Sequence, residues 1–202
     1  MSREPADHPV YANAHVVTDQ LLVGGDFDTF DRGRAEEQVR ELVERGLTHV
    51  LDVRLEWDDT ALVAALAPDL DYRHDGIDDA GQRVPGEWFE ALTAWAVDAL
   101  ADPDAVLLVH CHMGVNRGPS AAFAILLRLG WDPIEALDAI RDARPIAYIA
   151  YAEDALAWHH DRHGASAEQR ARDQERLREW RSGHGLDVHA VIRRIRTDED
   201  NR

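Results

Sequence analysis

The chain of 202 residues contains no lysine, and all 22 of its cationic side chains are arginines. Without a side-chain amine, Schiff-base chemistry and a Walker-type phosphate loop are excluded. Cysteine is almost as scarce, since Cys111 stands alone. No internal disulfide can form, and no zinc site can be built on several cysteines. No apolar run approaches the roughly 20 residues of a membrane-spanning helix. The first fifteen residues also lack the apolar segment of a secretory signal, so a cytoplasmic location is expected.

What the chain has in excess is acid. Its 39 Asp and Glu residues give a formal net charge of -17. Such a chain repels nucleic-acid phosphates and anionic bilayers, so neither is expected as a partner. Hydrophobic residues at 45% and charged ones at 30% fit a folded globular protein, not a disordered or membrane-embedded chain. The length fits one domain with an appendage. The charge is unevenly spread. Residues 164–202 carry nine arginines and eight acidic residues, a net of +1, which leaves -18 on residues 1–163. The expected division is a main domain over 1–163 and a charged helical extension over 164–202 with a disordered end. That extension reads as a solvated helix over the core, with Glu168 and Arg172 at i, i+4 spacing.

Within the main domain, short apolar runs alternate with helical patterns, which predicts an α/β fold. Strands are expected at 15–17, 21–23, 48–53, 70–73 and 105–109, and the last, AVLLV, is apolar enough to be central in the sheet. Helices are expected at 30–45, 60–67, 85–101, 119–130, 133–142 and 151–163. The 119–130 helix is apolar almost all round and therefore buried, and Pro119 suits its first turn.

Cys111 lies between the central strand and this buried helix, where open α/β sheets place their ligand sites. A loop feeding a helix N-terminus favours an anion there, a thiolate included. Gly114 allows a tight loop. Arg117, six residues on, can grip a phosphate through two parallel hydrogen bonds. A lone cysteine is commonly a small buried hydrophobe. The combination of strand, Cys111, Gly114, Arg117 and helix points instead to a phosphate-binding catalytic loop.

The segment His110-Cys111-His112-Met113-Gly114-Val115-Asn116-Arg117 has the form HCxxGxxR. It resembles the signature loop of the cysteine-dependent protein tyrosine phosphatases, in particular their compact dual-specificity branch. The resemblance extends over residues 14–160, through LLVGGD at 21–26, GLTHVLDVR at 46–54 and ARPIAYIAYAEDAL at 143–156. It implies a compact domain with a central, mainly parallel sheet flanked by helices. Cys111 would be the nucleophile of a phosphocysteine intermediate. Residues His112, Met113, Gly114, Val115, Asn116 and Arg117 would cradle the phosphate, and His110 would hydrogen-bond the backbone and tune the thiolate. A carboxylic acid about thirty residues earlier would serve as general acid and then base. Asp79, 32 positions before Cys111, fits that register, and Asp78 is the alternative. Low-molecular-weight phosphatases and arsenate reductases order these parts differently and are excluded.

Two features depart from the family pattern. Gly118 stands where a Ser or Thr usually helps the thiolate leave, and Ser120 could substitute only if its hydroxyl reaches the sulfur. The loop interior also lacks the lysines of phosphoinositide phosphatases, which disfavours polyanionic lipids. The expected partner is a phosphorylated protein, carrying phosphotyrosine or phosphoserine/threonine, or a small phosphomonoester. No metal or other cofactor is called for. Arg54 and Glu56 read as a structural pair at a strand end, and His159, His160 and His163 as a surface cluster. The rival reading is a weakly active phosphate-binding interaction module.

Overall fold

The computed structural model describes residues 8–200, with side chains described through residue 197. Five strands, β1 (Ala14–Thr18), β2 (Leu21–Gly24), β3 (His49–Arg54), β4 (Asp71–Ile77) and β5 (Leu107–His110), form one sheet in the order β1-β2-β5-β3-β4. The pairs β2/β5, β5/β3 and β3/β4 are parallel, and β1 joins β2 through an antiparallel hairpin. The apolar strand β5 is the middle one, as its composition predicts. The edge strand β4 runs on to Ile77, four residues beyond its apolar start. Backbone pairing to β3 carries it through Arg73, His74 and Asp75, polar residues that a sheet edge tolerates.

The two-residue period of the central strands divides the core. Leu21, Val23, Leu51, Val53, Leu107 and Val109 face one apolar cluster, and Leu22, Val50 and Leu108 face the other. The larger cluster lies under α3 (Gly86–Ala99), α4 (Arg117–Arg128), α5 (Pro133–Ala143) and α6 (Ala152–His163). The smaller lies under α1 (Arg32–Glu44) and α2 (Thr60–Leu66). Helix α4 is buried from Arg117 to Leu127, which accounts for its lack of a polar face. Helix α1 starts two residues later than its periodicity suggests, because Asp31 caps it by accepting from Arg34 N. Phe30 is thereby left in the preceding loop, 98% exposed.

The C-terminal segment forms α7 (Ala167–Gly183) and α8 (Val188–Asp200). Leu177 and Trp180 of α7 join the larger cluster. Trp180 Nε1 donates to Asp138 Oδ1 at 2.6 Å, and Arg176 grips Asp132 at 2.7 and 2.8 Å. The expected Glu168–Arg172 pair is replaced by a hydrogen bond from Arg172 to Gln169. The histidine cluster is corrected too: His160 is buried and lies 2.9 Å from Asp173 of α7, because α7 covers the polar face of α6. The expected disordered end includes residues 201–202, which lie outside the described residues. Among the described residues, no helix is long and apolar enough to cross a membrane.

Candidate active site

Four parallel strands end at the same edge of the sheet, so the loops that follow β2, β3, β4 and β5 meet there. The loop 111–116 joins β5 to α4 and begins with Cys111, 2% exposed at its base. Among the described residues, the backbone N–H groups of Met113, Gly114, Val115 and Asn116 donate to no protein acceptor. A run of unpartnered amides in a loop at a helix N-terminus forms an anion cradle.

The loop is held from behind. Gly114 has φ +64°, and a Cβ there would come within 2.6 Å of the Gly24 backbone, so only glycine closes the turn. Arg144, fully buried after α5, donates to Gly114 O at 2.7 Å and to Met113 O at 2.9 Å. It also donates to Asn13 Oδ1 at 2.9 Å and to His15 Nδ1 at 2.7 Å. Burial, aided by the Arg144 charge, holds His15 down to about 4, so the ring is neutral and can accept. Arg144 appears in the sequence only as half of an Arg-Pro pair, with nothing to mark it as the brace of the loop.

Arg117 opens α4 and is 3% exposed. Its Nη1 and Nη2 donate to the two carboxylate oxygens of Glu56, at 2.6 and 2.8 Å, and Nη1 also donates to Ile77 O at 3.0 Å. Its buried Nε–H has no hydrogen-bond partner, with Asp79 Oδ2 at 3.6 Å. The Arg117 hydrogen bonds hold the Glu56 carboxyl down to about 2, so the pair stays ionic at neutral pH. Glu56 is therefore part of the site and not the partner of Arg54.

Of the two candidate acids, Asp79 faces the loop. Its Oδ1 accepts from Asn116 Nδ2 at 2.6 Å and from Tyr151 Oη at 3.1 Å. The Asp78 carboxylate instead accepts from the backbone N–H of Asp79 at 2.8 Å. Asn116 ties the acid loop to the start of α6, because its Oδ1 accepts from Ala150 N at 2.7 Å. Ser120 is buried, donates to Asn116 Oδ1 at 3.4 Å and accepts from Tyr151 N at 3.3 Å. Its proton is thus directed to Asn116. Gly118 packs tightly against the end of β5, where a Cβ would sit 3.2 Å from Cys111 N and 3.3 Å from His110 C. His112 Nδ1 lies 2.8 Å from Asp26 Oδ2.

Behind the loop sits a fully buried charged group. Arg54 bonds Asp52 through Nε at 2.9 Å and Nη2 at 2.6 Å, and also reaches Asp59 at 2.5 Å and Asp26 at 3.3 Å. Tyr72 donates to Asp52 Oδ2 at 2.7 Å. The expected backbone contact of His110 is with Cys111, whose main chain acts on the ring without forming a well-aligned hydrogen bond. Neither ring nitrogen has a partner, and Nε2 faces Asp52 and Asp59 at 3.9 and 4.0 Å. Burial pushes His110 down to about 4, which keeps the ring neutral. Asp52, Asp59 and His110 approach one another closely enough for a metal ion. The Arg54 guanidinium already bridges the two carboxylates, so they do not offer a vacant cation site.

No family model matches the chain. A segment of 59 residues is 41% identical to the probable tyrosine-protein phosphatase pir-2 of Caenorhabditis elegans, covering 29% of this chain and 16% of that protein. Among solved structures, PTPMT1 in complex with PI(5)P superposes with a TM-score of 0.63 at 17% identity, over 77% of this chain and 99% of that one. Human DUSP28 superposes with a TM-score of 0.61 at 19% identity, over 76% and 99%. The human tyrosine phosphatase-like serine/threonine/tyrosine-interacting protein gives 0.58 at 14% identity, over 74% and 97%. At these identities the likeness is one of fold, and with its mainly parallel five-stranded sheet this chain has the fold of the dual-specificity branch of the tyrosine phosphatases.

Proposed function

We propose that this protein is a phosphomonoester hydrolase of the tyrosine/dual-specificity type that works through a phosphocysteine. The observation that carries this reading is the run of unpartnered amides from Met113 to Asn116 beside the unpartnered Nε–H of Arg117. These donors suit the equatorial oxygens of a phosphoryl group, whose charge they stabilise in the transition state. The Cys111 thiolate attacks phosphorus while the bond to the leaving oxygen breaks, and Asp79 delivers a proton to that oxygen. Asp79 then takes a proton from the water that attacks the phosphocysteine. The P–S bond breaks, phosphate departs and the thiolate is restored. Glu56 and Arg144 position Arg117 and the loop.

PTPMT1 has been solved in complex with PI(5)P. In this chain, residues 112–116 include His112 as their one ionisable side chain, and the acidic domain suits a singly phosphorylated group.

The test is hydrolysis of an aryl phosphate near pH 6 by wild type and by Cys111→Ser, Asp79→Asn and Asp78→Asn. Cys111→Ser should be inactive, and Asp79→Asn should lose at least about 100-fold in kcat while Asp78→Asn stays within a fewfold. Wild type no faster than Cys111→Ser sinks the hydrolase reading. A larger loss in Asp78→Asn reverses the acid assignment. A weakly active binding module is favoured by Gly118, which offers no hydroxyl, together with the engagement of the Ser120 hydroxyl with Asn116 Oδ1. In that case a stoichiometric burst of leaving group precedes very slow turnover, and a linear time course speaks against it.

A further inference from the structure

The cradle lies inside an acidic mouth. The loops 25–31, 55–59 and 78–85 that converge on it contain Asp26, Asp28, Asp31, Glu56, Asp58, Asp59, Asp78 and Asp79, against one arginine, Arg83. Arg83 is turned to Asp154 of α6. Asp26 and Asp59 are spent on Arg54, Asp28 on Arg34, and Glu56 and Asp79 on Arg117. Asp31, Asp58 and Asp78 are exposed and accept from backbone N–H groups, with the Thr60 hydroxyl added at Asp58. Between these charges stand three exposed apolar side chains, Phe30, Leu55 and Trp57. The ring of Trp57 meets the loop residue His112 edge-on at 5.1 Å. The floor is therefore built for an anion, as the unpartnered Arg117 Nε–H and loop amides show, while the rim is built for the opposite charge.

Resting on the phosphatase reading of this site, we infer that the phosphoryl group it accepts is borne on a cationic protein segment, with Arg or Lys flanking the phosphorylated residue. A free phosphorylated metabolite or an acidic phosphopeptide brings negative charge to Asp31, Asp58 and Asp78 and is repelled. Flanking guanidinium or ammonium groups meet these carboxylates and Trp57, which is 40% exposed and already carries the buried Arg54 guanidinium 5.5 Å from its ring centre. The charge of -18 over residues 1–163 raises the encounter rate of such a segment with the domain as a whole.

Two phosphotyrosyl peptides of equal length, one flanked by four arginines and one by four glutamates, test this. The arginine peptide should show at least tenfold higher kcat/KM in 20 mM salt, with the ratio falling to within about twofold at 0.5 M as the field is screened. The Asp31→Asn/Asp58→Asn double variant keeps both backbone caps. It should lose at least half of the low-salt preference through KM while leaving hydrolysis of a small aryl phosphate unchanged. Titrating both peptides into Cys111→Ser reads the same preference without turnover. Equal values for the two peptides, or a preference for glutamate, overturns the inference even if the enzyme is active. A binding preference for arginine without turnover upholds it and overturns the hydrolase reading.

Discussion

At the scale of single residues, the site depends on carboxylates with distinct tasks. Glu56 fixes the guanidinium of Arg117 from one side and leaves its Nε–H free. Glu56→Gln keeps the shape but halves the bidentate pairing, so Arg117 should sample other rotamers. Steady-state kinetics on an aryl phosphate should show about a tenfold loss in kcat/KM. A loss below twofold would show that Arg117 is held by Ile77 O alone. The two buried aspartates on Arg54 behave oppositely. Asp52 is held down to about 2; its own burial opposes this, and the Arg54 hydrogen bonds with the His110 and Arg54 charges outweigh it. Its contribution is therefore present above pH 4 and fades only as pH falls toward 2. Burial first, and the Asp52 charge next to it, push Asp59 up to about 6 in spite of Arg54. The protonated form of Asp59 is thus favoured on folding, a contribution complete below about pH 4 and lost as pH rises through 6. Asp52→Asn should cost about 3 kcal/mol from pH 5 to 8, since it leaves part of a buried cation uncompensated. Asp59→Asn should gain on wild type in melting temperature between pH 5 and pH 8. A wild-type-minus-variant difference that does not change with pH would refute the raised Asp59.

At the scale of elements, the part most readily read from the sequence was the contiguous one. The strand, loop and buried helix around Cys111 are written in about thirty consecutive residues, and the periodicity of β5 and α4 places the loop between them without any distant contact. Helix α7 shows the opposite case. Its sequence is so charged that it reads as a solvated rod, yet two side chains, Leu177 and Trp180, insert into the core under α5 and α6. Four apolar positions in seventeen, Ala167, Ala171, Leu177 and Trp180, give no sustained periodic signal, but the two large side chains suffice to dock a helix whose remaining contacts are mostly polar or ionic. Trp180→Ala should therefore destabilise the protein by about 3 to 5 kcal/mol, lowering the melting temperature by roughly 10 °C. A change under 2 °C in a thermal melt would return α7 to the role of a solvated appendage. Helix α1 illustrates a smaller limit of periodicity. Asp31 sets its start, and the apolar Phe30, which fits the helical pattern, lies outside the cap in the loop that follows β2.

For the whole molecule, the excess of acid is arranged and not merely abundant. Some of it is neutralised in the buried group around Arg54, some orients Arg117, much is paired with arginines elsewhere on the surface, and Asp31, Asp58 and Asp78 stand without an arginine partner in the loops that lead to the anion cradle. Screening limits the rim's field to about 8 to 10 Å in physiological salt, whereas Arg117 and the loop amides act in contact. A phosphate site inside a chain of charge -17 is consistent for this reason. By itself the sequence determined the fold class, the middle strand and the Cys111 loop between strand and buried helix, because each depends on neighbours within a few residues; the family resemblance narrowed the proposed acid to Asp78 or Asp79. Only the tertiary structure decided that Glu56 belongs to Arg117 and not to Arg54, that Arg144 braces the loop, that His110 faces carboxylates, and that Asp79 and not Asp78 turns inward. These choices pair residues 30 to 131 positions apart, and carboxylates and guanidiniums are interchangeable in a sequence. Which charge meets which is settled only when the parallel strands bring their loops to one edge of the sheet.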